Sequence, residues 1–238
     1  MTYWHYDFLI IKNTFIQINL RYMYNSKIIG VGHYVPNNVV TNDDLTQFMD
    51  TSDEWIKERT GIEQRRWIKD ESTETTASMG VEAVKIAIER SGLNKDEIDF
   101  IVFATLSPDY YFPGPGVQVQ EALDIKTVGA LDVRNQCSGF VYGLSVADQF
   151  IKTGMYKNVL VVGSELQSRG IDKSTRGRNI SVIFGDGAGA VVMSREEDTS
   201  KGVLSTHLHS EGQHAKELSL LSPGMGTRWV DDILKDND

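Results

Sequence analysis

The chain has one cysteine, a deficit of basic residues and no long apolar run, and each shortage excludes a class of protein. Cys137 alone cannot form an internal disulfide, which fits a reducing compartment and predicts a cytoplasmic location. Acidic residues outnumber basic ones by 33 to 24, and the net charge of -9 argues against nucleic acid or an anionic membrane as the main partner. Asp7 and Lys12 interrupt the apolar N-terminal segment, which falls far short of the roughly 20 apolar residues that a membrane span needs.

What the sequence does contain is enough apolar residues for a substantial core. With 238 residues, of which 40% are hydrophobic, the chain can form one large domain or two small ones. The first 22 residues lack the basic start and the small-residue cleavage site of a signal peptide. Because Met23 directly precedes the first strand-like run, we expect the functional protein to start there and residues 1–22 to be an extension outside the fold.

Strand-like and helix-like patterns alternate along the chain. Residues 75–91 have helical periodicity with Gly92 as a C-cap, and residues 98–106 and 158–163 are apolar runs of strand length. Residues 28–32 are predicted to form a strand that ends in glycines, as in a dinucleotide-binding motif. That motif needs a third glycine and then a helix, but Val35 occupies the glycine position and Pro36 follows it, which argues against such a site. The alternation predicts an α/β fold with a covered sheet.

The only cysteine lies where a strand pattern changes to a helix pattern. Residues 128–133 are predicted to form a buried strand, and helical spacing follows from Phe140. A helix N-terminus favours negative charge, and therefore a thiolate at Cys137. A lone cysteine also fits a buried structural position. Ser138 and Gly139, which leave room for an approaching group, favour the functional interpretation.

A second candidate site surrounds Trp55. The Thr51-x-x-Glu54 spacing predicts a capping box at the start of a short helix, in which Trp55 and Arg59 share one face. The indole is either packed at the surface or a platform for a nucleotide base, with Arg59 near its phosphates.

Three further segments attract a functional interpretation. Three consecutive aromatic residues, 110–112, lie in a predicted loop and are expected to enter a pocket or a subunit interface. The glycine-rich run 181–193 lacks the Lys-Ser/Thr of a phosphate loop and is predicted to serve close backbone packing. His207, His209 and His214 lack supporting ligands apart from Glu211, so we predict no metal site.

Several segments together resemble the β-ketoacyl-[acyl carrier protein] synthase III family of the thiolase-like superfamily. The resemblance runs from about Met23 to about Leu221, and it rests on Thr51-Ser52-Asp53-Glu54-Trp55-Ile56, Arg59-Thr60-Gly61-Ile62, Gln136-Cys137-Ser138-Gly139-Phe140, Val161-Val162-Gly163-Ser164-Glu165 and Ile183-Phe184-Gly185-Asp186-Gly187-Ala188-Gly189-Ala190. It implies a layered αβαβα fold of two similar halves, with residues 23–222 as the N-terminal domain and 223–238 as the start of a loop.

The same resemblance implies a reaction and a set of site residues. The family condenses an acyl group from coenzyme A with malonyl-acyl carrier protein, normally as a homodimer and without a cofactor beyond the coenzyme A thioester. Cys137 matches the nucleophile. The other matches are the coenzyme A contacts Trp55, Arg59 and Arg176, where the indole and an arginine sandwich the adenine, and the acyl-pocket residues Phe112, which crosses the dimer interface, and Phe184.

The sequence departs from the family in one respect that matters for the chemistry. The family's second half carries a histidine and an asparagine that stabilise the enolate, and this sequence has no His-Gly-Asn motif. We therefore expect the chain to be an N-terminal fragment with absent or very weak condensation. Two alternatives stay open: an acyltransferase using His207, His209 or His214 as a base, and a non-catalytic subunit that pairs with a chain carrying the missing half.

Overall fold

The computed structural model of the chain describes residues 7–11, 14–18, 24–70 and 72–219. The chain divides into two compact units, Met1–Thr206 and His207–Asp238. The boundaries predicted at residues 22 and 222 lie outside the described residues and stay predictions.

The first unit is built on a mixed five-stranded sheet with the order β3-β9-β8-β6-β7. Strand β6 runs parallel to both β7 and β8, whereas β9 is antiparallel to β8 and β3. Two-stranded antiparallel pairs are formed by β1 with β2 and by β4 with β5. The strands are β1 (Asp7–Ile11), β2 (Thr14–Ile18), β3 (Asn25–Tyr34), β4 (Val39–Thr41), β5 (Gln64–Arg66), β6 (Phe100–Ala104), β7 (Gly129–Val133), β8 (Asn158–Glu165) and β9 (Gly187–Glu196).

The predicted helices form close to their expected positions. The longest, α3, has Thr75 as N-cap, its hydroxyl accepting from the Ser78 N–H, and ends at Gly92, whose φ of 72° suits glycine. The helices are α1 (Asn42–Leu45), α2 (Asp53–Thr60), α3 (Thr76–Ser91), α4 (Pro115–Ala122), α5 (Gly139–Lys152) and α6 (Arg178–Ser181).

Alternate residues of the central strands face two different helix layers. Ile101 and Phe103 of β6 pack with α3 and α4, whereas Val102 between them packs with α5. This period of two is the pattern of a strand buried on both faces. The sheet is therefore covered on both sides, as the alternation of strands and helices predicts.

Two glycines of β3 allow α3 to lie directly on the sheet. A Cβ at Gly30 would come within 2.1 Å of the Ala87 carbonyl oxygen, and one at Gly32 within 2.0 Å of the Ala83 carbonyl oxygen. Such distances exclude any side chain. The glycine-ended strand of residues 28–32 thus serves helix packing, and β3 continues through it to Tyr34.

A buried ion pair within α5 connects this helix to the start of β3 and to the segment that follows β9. The Asp148 carboxylate is 0% exposed and accepts from Lys152 Nζ at 2.9 Å and from Ser26 Oγ at 2.7 Å. Lys152, which is 4% exposed, also donates to the carbonyl oxygen of Val203 at 2.9 Å. Because burial of charge is costly, each member of this cluster depends on the others.

One strand differs from its prediction. Residues 128–133 are expected to be buried, but β7 is the edge strand of the sheet and several of its residues are exposed. Small and apolar residues suit any extended strand, and composition does not say how many neighbours a strand has. Strand β7 pairs with β6 alone among the described residues.

Candidate functional site

Cys137 lies at the turn that joins β7 to α5, as the change of period predicts. A 3-10 turn, Gln136–Ser138, runs directly into α5 at Gly139. Gln136 has a φ of 45°, in the left-handed region that few residues other than glycine adopt. Such backbone strain is typical of functional turns. The Cys137 thiol is free and exposed, so the structural interpretation of a buried cysteine is wrong.

Small residues bring the start of α5 close to the sheet. A Cβ at Gly139 would lie 3.3 Å from the Ala104 Cβ, and one at Gly143 would lie 3.1 Å from Val161 Cγ1. Helix α5 therefore begins next to Ala104, the last residue of β6, and crosses β8 at Val161. The unpaired N–H groups and the positive dipole end of this helix favour negative charge near Cys137.

A carboxylate that the sequence analysis did not single out cross-links the same edge of the sheet. Glu165, the last residue of β8, accepts from Thr105 Oγ1 at 2.5 Å and from the Leu106 N–H at 2.7 Å. The Ser107 hydroxyl accepts from the Leu166 N–H at 2.9 Å. These bonds fix the start of the loop that leads to Phe112. The available signal was its place at the carboxyl end of a parallel strand, where ligand sites of open α/β sheets form.

Trp55 lies on α2 and is half-buried against a small apolar cluster. The Arg59 guanidinium carbon lies 4.4 Å from the indole centroid, which confirms the predicted shared face. The predicted capping box is wrong. Ser52 is the N-cap, with its hydroxyl accepting from the Trp55 N–H at 3.0 Å, because Ser52 and not Thr51 precedes the first helical residue.

A second arginine, which sequence analysis missed, also stacks on Trp55. The Arg178 guanidinium carbon lies 4.4 Å from the indole centroid, and its Nη1 donates to the Asp50 carbonyl oxygen at 2.6 Å. Arg176, one of the predicted coenzyme A contacts, donates from Nε to Asp172 at 2.7 Å and is 89% exposed. The two arginines are separated by one residue in a basic segment, and only tertiary structure distinguishes them.

The Asp172 carboxyl, which pairs with Arg176, has a strongly lowered pKa. Its pKa is lowered to about 2, first by hydrogen bonds from the Ser174 hydroxyl and N–H and then by Arg176. Hydrogen bonds to the ionised form stabilise it and so lower the pKa.

Phe112 and Phe184 occupy different environments. Phe112 is 81% exposed and Tyr111 is 79% exposed. Tyr110 is less exposed and lines a surface cavity between α3 and α4. Phe184 is half-buried, and its carbonyl oxygen accepts from Trp67 Nε1 at 3.1 Å. The structure therefore brings the Phe184 segment to β5.

A buried carboxylate and a buried guanidinium hold the Phe184 segment in place. Asp186 accepts from the N–H groups of Ile68, Gln167 and Ser168 at 2.7–2.9 Å. Arg65, only 6% exposed, donates to Asn42 Oδ1 at 2.7 Å and to the Val182 carbonyl oxygen at 3.0 Å. Burial lowers the pKa of Arg65 below its usual range. Asp186 thus has a structural role within the glycine-rich run.

The late histidines belong to the second unit. His214 ends a 3-10 turn, and its Nδ1 lies 2.5 Å from Glu217 Oε1. Within the described residues, no three His, Cys, Asp or Glu side chains are grouped so that they could hold a metal ion. None of the helices in the described ranges is long and apolar enough to cross a membrane.

Comparisons with known proteins agree with the geometry. The family model described as 3-oxoacyl-[acyl-carrier-protein (ACP)] synthase III matches residues 131–212, which include Cys137. The β-ketoacyl-[acyl-carrier-protein] synthase III of Ehrlichia canis is 48% identical over 190 residues, covering 80% of this chain and 58% of the relative. A synthase III of Bacillus anthracis is 50% identical over 194 residues, covering 82% of this chain and 61% of the relative.

The chain belongs to the β-ketoacyl-[acyl-carrier-protein] synthase III family. The crystal structure of the synthase III from Aquifex aeolicus superposes with a TM-score of 0.70 at 49% identity, covering 73% of this chain and 55% of that one. The predicted α/β fold of the thiolase-like class is confirmed. The chain spans about three fifths of the length of the curated relatives it matches.

Proposed function

We propose that the chain performs the first half-reaction of a β-ketoacyl-[acyl carrier protein] synthase III of fatty acid biosynthesis, the transfer of an acyl group from coenzyme A to Cys137. The observation that carries this proposal is the exposed thiol at the start of α5. A catalytic thiol needs an open approach for its substrate and a setting that favours negative charge. Membership of the family supplies the reaction class.

The proposed step moves one acyl group and changes no oxidation state. The Cys137 thiolate attacks the thioester carbonyl carbon, and negative charge develops on the carbonyl oxygen. When this intermediate collapses, the bond to the coenzyme A sulfur breaks and the released thiolate takes up a proton. Backbone N–H groups at the start of α5 favour both the thiolate and the oxyanion. The step needs no cofactor beyond the thioester substrate.

The remaining site residues are proposed to bind the substrate. Trp55 offers an aromatic face for the adenine base, which the indole and an arginine sandwich in the family, and Arg59 offers a guanidinium group for the phosphates. Arg176 is proposed as a further coenzyme A contact. Phe112 and Phe184 are proposed to line the acyl pocket. The support for these roles is their match to family positions, together with the location of Trp55 and Arg59 on one helix face.

The second half-reaction is proposed to need residues that this sequence does not contain. The family condenses the acyl thioester with malonyl-acyl carrier protein, and this sequence has no His-Gly-Asn motif for the enolate. We therefore expect the 238-residue chain by itself to stop at the acyl-enzyme.

Intact-mass spectrometry tests this proposal. The purified chain is incubated with an acyl-coenzyme A, and we expect a single acyl mass on the wild type and none on Cys137→Ala. Cys137→Ser is the matched control for side-chain size, because its hydroxyl is a much weaker nucleophile at neutral pH. Equal labelling of wild type and Cys137→Ala would refute the assignment of Cys137. Adding malonyl-acyl carrier protein should give no β-ketoacyl product, and its appearance would refute the expected stop.

A second copy of the chain is the proposed partner for the exposed aromatic loop. Tyr110, Tyr111 and Phe112 are exposed, and the chain that follows them contacts the edge strand β7 through the Gly116 N–H, which donates to Asp132 Oδ1 at 2.9 Å. Large exposed apolar patches typically mark interfaces. Sedimentation velocity should show a dimer for the wild type and a shift toward monomer for Phe112→Asp. A monomeric wild type would contradict this proposal.

A further inference from the structure

A surface cavity of about 530 Å³ opens at the amino ends of β6, β7 and β8. Asp99 and Lys157 in its lining immediately precede β6 and β8, and Gly129 is the first residue of β7. Cys137 follows the other end of β7, and a strand of 5 residues spans about 13 Å. The cavity is therefore separate from the part of the candidate site that surrounds Cys137.

Three cationic side chains line this cavity, although the chain as a whole has a net charge of -9. They come from three separate segments and are Lys126, Lys157 and Arg195. Among the described residues, Lys157 and Arg195 have no carboxylate within ion-pair distance, and Lys126 Nζ lies 3.9 Å from Asp99 Oδ1. The fold thus gathers cations here without neutralising them.

The carboxylate of Asp99 is the only one in the described lining of the cavity, and the backbone already uses it. Its Oδ2 accepts from the N–H of Lys157 at 3.1 Å and from the N–H of Asn158 at 3.0 Å. Three cations against one carboxylate leave an excess of two positive charges in the lining. An anion that enters the cavity therefore meets a net attraction.

The guanidinium of Arg195 is held in place but is given no acceptor. Its carbon lies 3.8 Å from the Tyr24 ring centroid, and the Arg195 backbone N–H donates to the Lys157 carbonyl oxygen at 3.0 Å. Its Nε is buried without a hydrogen-bond partner, and no described residue accepts from the other guanidinium N–H groups. A positioned guanidinium with free donors is suited to bind two oxygens of one anion at once.

We propose that this cavity binds a phosphate-bearing anion through Lys126, Lys157 and Arg195. A phosphate monoester carries about 1.5 to 2 negative charges near neutral pH, which matches the excess of two positive charges better than the single charge of a carboxylate does. The volume falls within the range of small-molecule sites, roughly 300–1,000 Å³. The proposal goes beyond the proposed acyl transfer and does not depend on it.

An amide NMR titration of the full chain with inorganic pyrophosphate at low salt tests the proposal. We expect the Gly129 and Gly154 signals, which both report on the cavity lining, to shift and to saturate. Lys157→Gln should weaken the binding about tenfold, because one charge-assisted hydrogen bond is lost. Added salt should also weaken binding by the wild type, since exposed charges are screened.

Lys85→Gln is the matched control, because it removes one exposed cation and changes the net charge by the same amount. Lys85 pairs with Glu82 on α3 and is not part of the cavity lining, so the variant should bind pyrophosphate as the wild type does. Equal weakening by Lys157→Gln and Lys85→Gln would overturn the proposal. So would the absence of a saturable shift at Gly129 and Gly154.

A titration with adenosine diphosphate distinguishes two sources of the phosphate. Binding that is tighter than that of pyrophosphate, and that Lys157→Gln weakens to the same degree, would identify a nucleotide as the ligand. Equal or weaker binding would identify a free phosphate anion. Acylation of Cys137, followed separately by intact mass, reports on the proposed function whichever result the titrations give.

Discussion

The two parts of the candidate site are built in different ways. Cys137 is positioned by one continuous stretch of chain, in which β7 passes through a 3-10 turn into α5. Trp55 is surrounded by α2 and by a distant segment that supplies Arg178. The Cys137 thiol is open to solvent, whereas guanidinium groups of the same chain lie against the Trp55 indole.

The two parts of the site are therefore destabilised by different substitutions. The Cys137 side depends on how α5 is held against the sheet, and the Trp55 side depends on how separate segments are tied together. Substitutions that loosen one tie should therefore disturb one side first.

Breaking the ion pair that anchors α5 should lower the free energy of unfolding more than any other change considered. Asp148→Ala leaves the Lys152 ammonium buried without its carboxylate, and we expect a loss of about 3–5 kcal/mol in the free energy of unfolding. Urea unfolding measures it. The double variant Asp148→Leu with Lys152→Met removes both charges and should recover most of the loss. A double variant as unstable as the single one would show that the ion pair itself is not the source.

On the Trp55 side, removing the buried guanidinium of Arg65 should lower the free energy of unfolding. Arg65→Met keeps the apolar stem but leaves Asn42 Oδ1 and the Val182 carbonyl without their donor, so we expect a loss of about 3 kcal/mol in urea unfolding. The adjacent Arg66, which is less buried and donates to the Pro36 and Asn37 carbonyls, provides the control. Arg66→Met should cost about 1 kcal/mol or less. Equal losses would mean that burial does not distinguish the two arginines.

A smaller effect tests which residue caps α2. Ser52→Ala removes the hydroxyl that accepts from the Trp55 N–H and should lower the free energy of unfolding by about 1 kcal/mol. Thr51→Ala removes a buried hydroxyl that has no partner and should change it by less than about 0.5 kcal/mol. The reverse order would restore the capping box that the sequence predicts.

The smallest change should be in how the stability of the fold depends on pH through Asp172. Its folded-state pKa, about 2, is below its ordinary value of 3.8, so its hydrogen bonds stabilise the fold above pH 4 and are lost as the pH falls toward 2. Carboxyl carbon chemical shifts measured during an acid titration report this pKa. Ser174→Ala should raise it more than Arg176→Gln does, because Ser174 contributes the larger effect. A larger shift for Arg176→Gln would contradict that ranking.

The sequence predicted the parts of the site that depend on neighbouring residues. The turn at Cys137 follows from a change of period, and the Trp55–Arg59 pair follows from the spacing of a helix, since both are local properties of the backbone. The capping residue was misplaced by one position because serine and threonine adjoin each other and both can cap.

The α/β class, the turn that carries Cys137 and the resemblance to the family could all be read from residues close together in the chain. Only the tertiary structure decided that β7 is an edge strand, that Glu165 cross-links the sheet edge and that Arg178 rather than Arg176 stacks on Trp55. The reason is the separation along the chain of the residues that interact. Backbone periodicity and caps are set within a few residues, whereas strand neighbours and stacking partners are set by contacts between segments far apart in the chain.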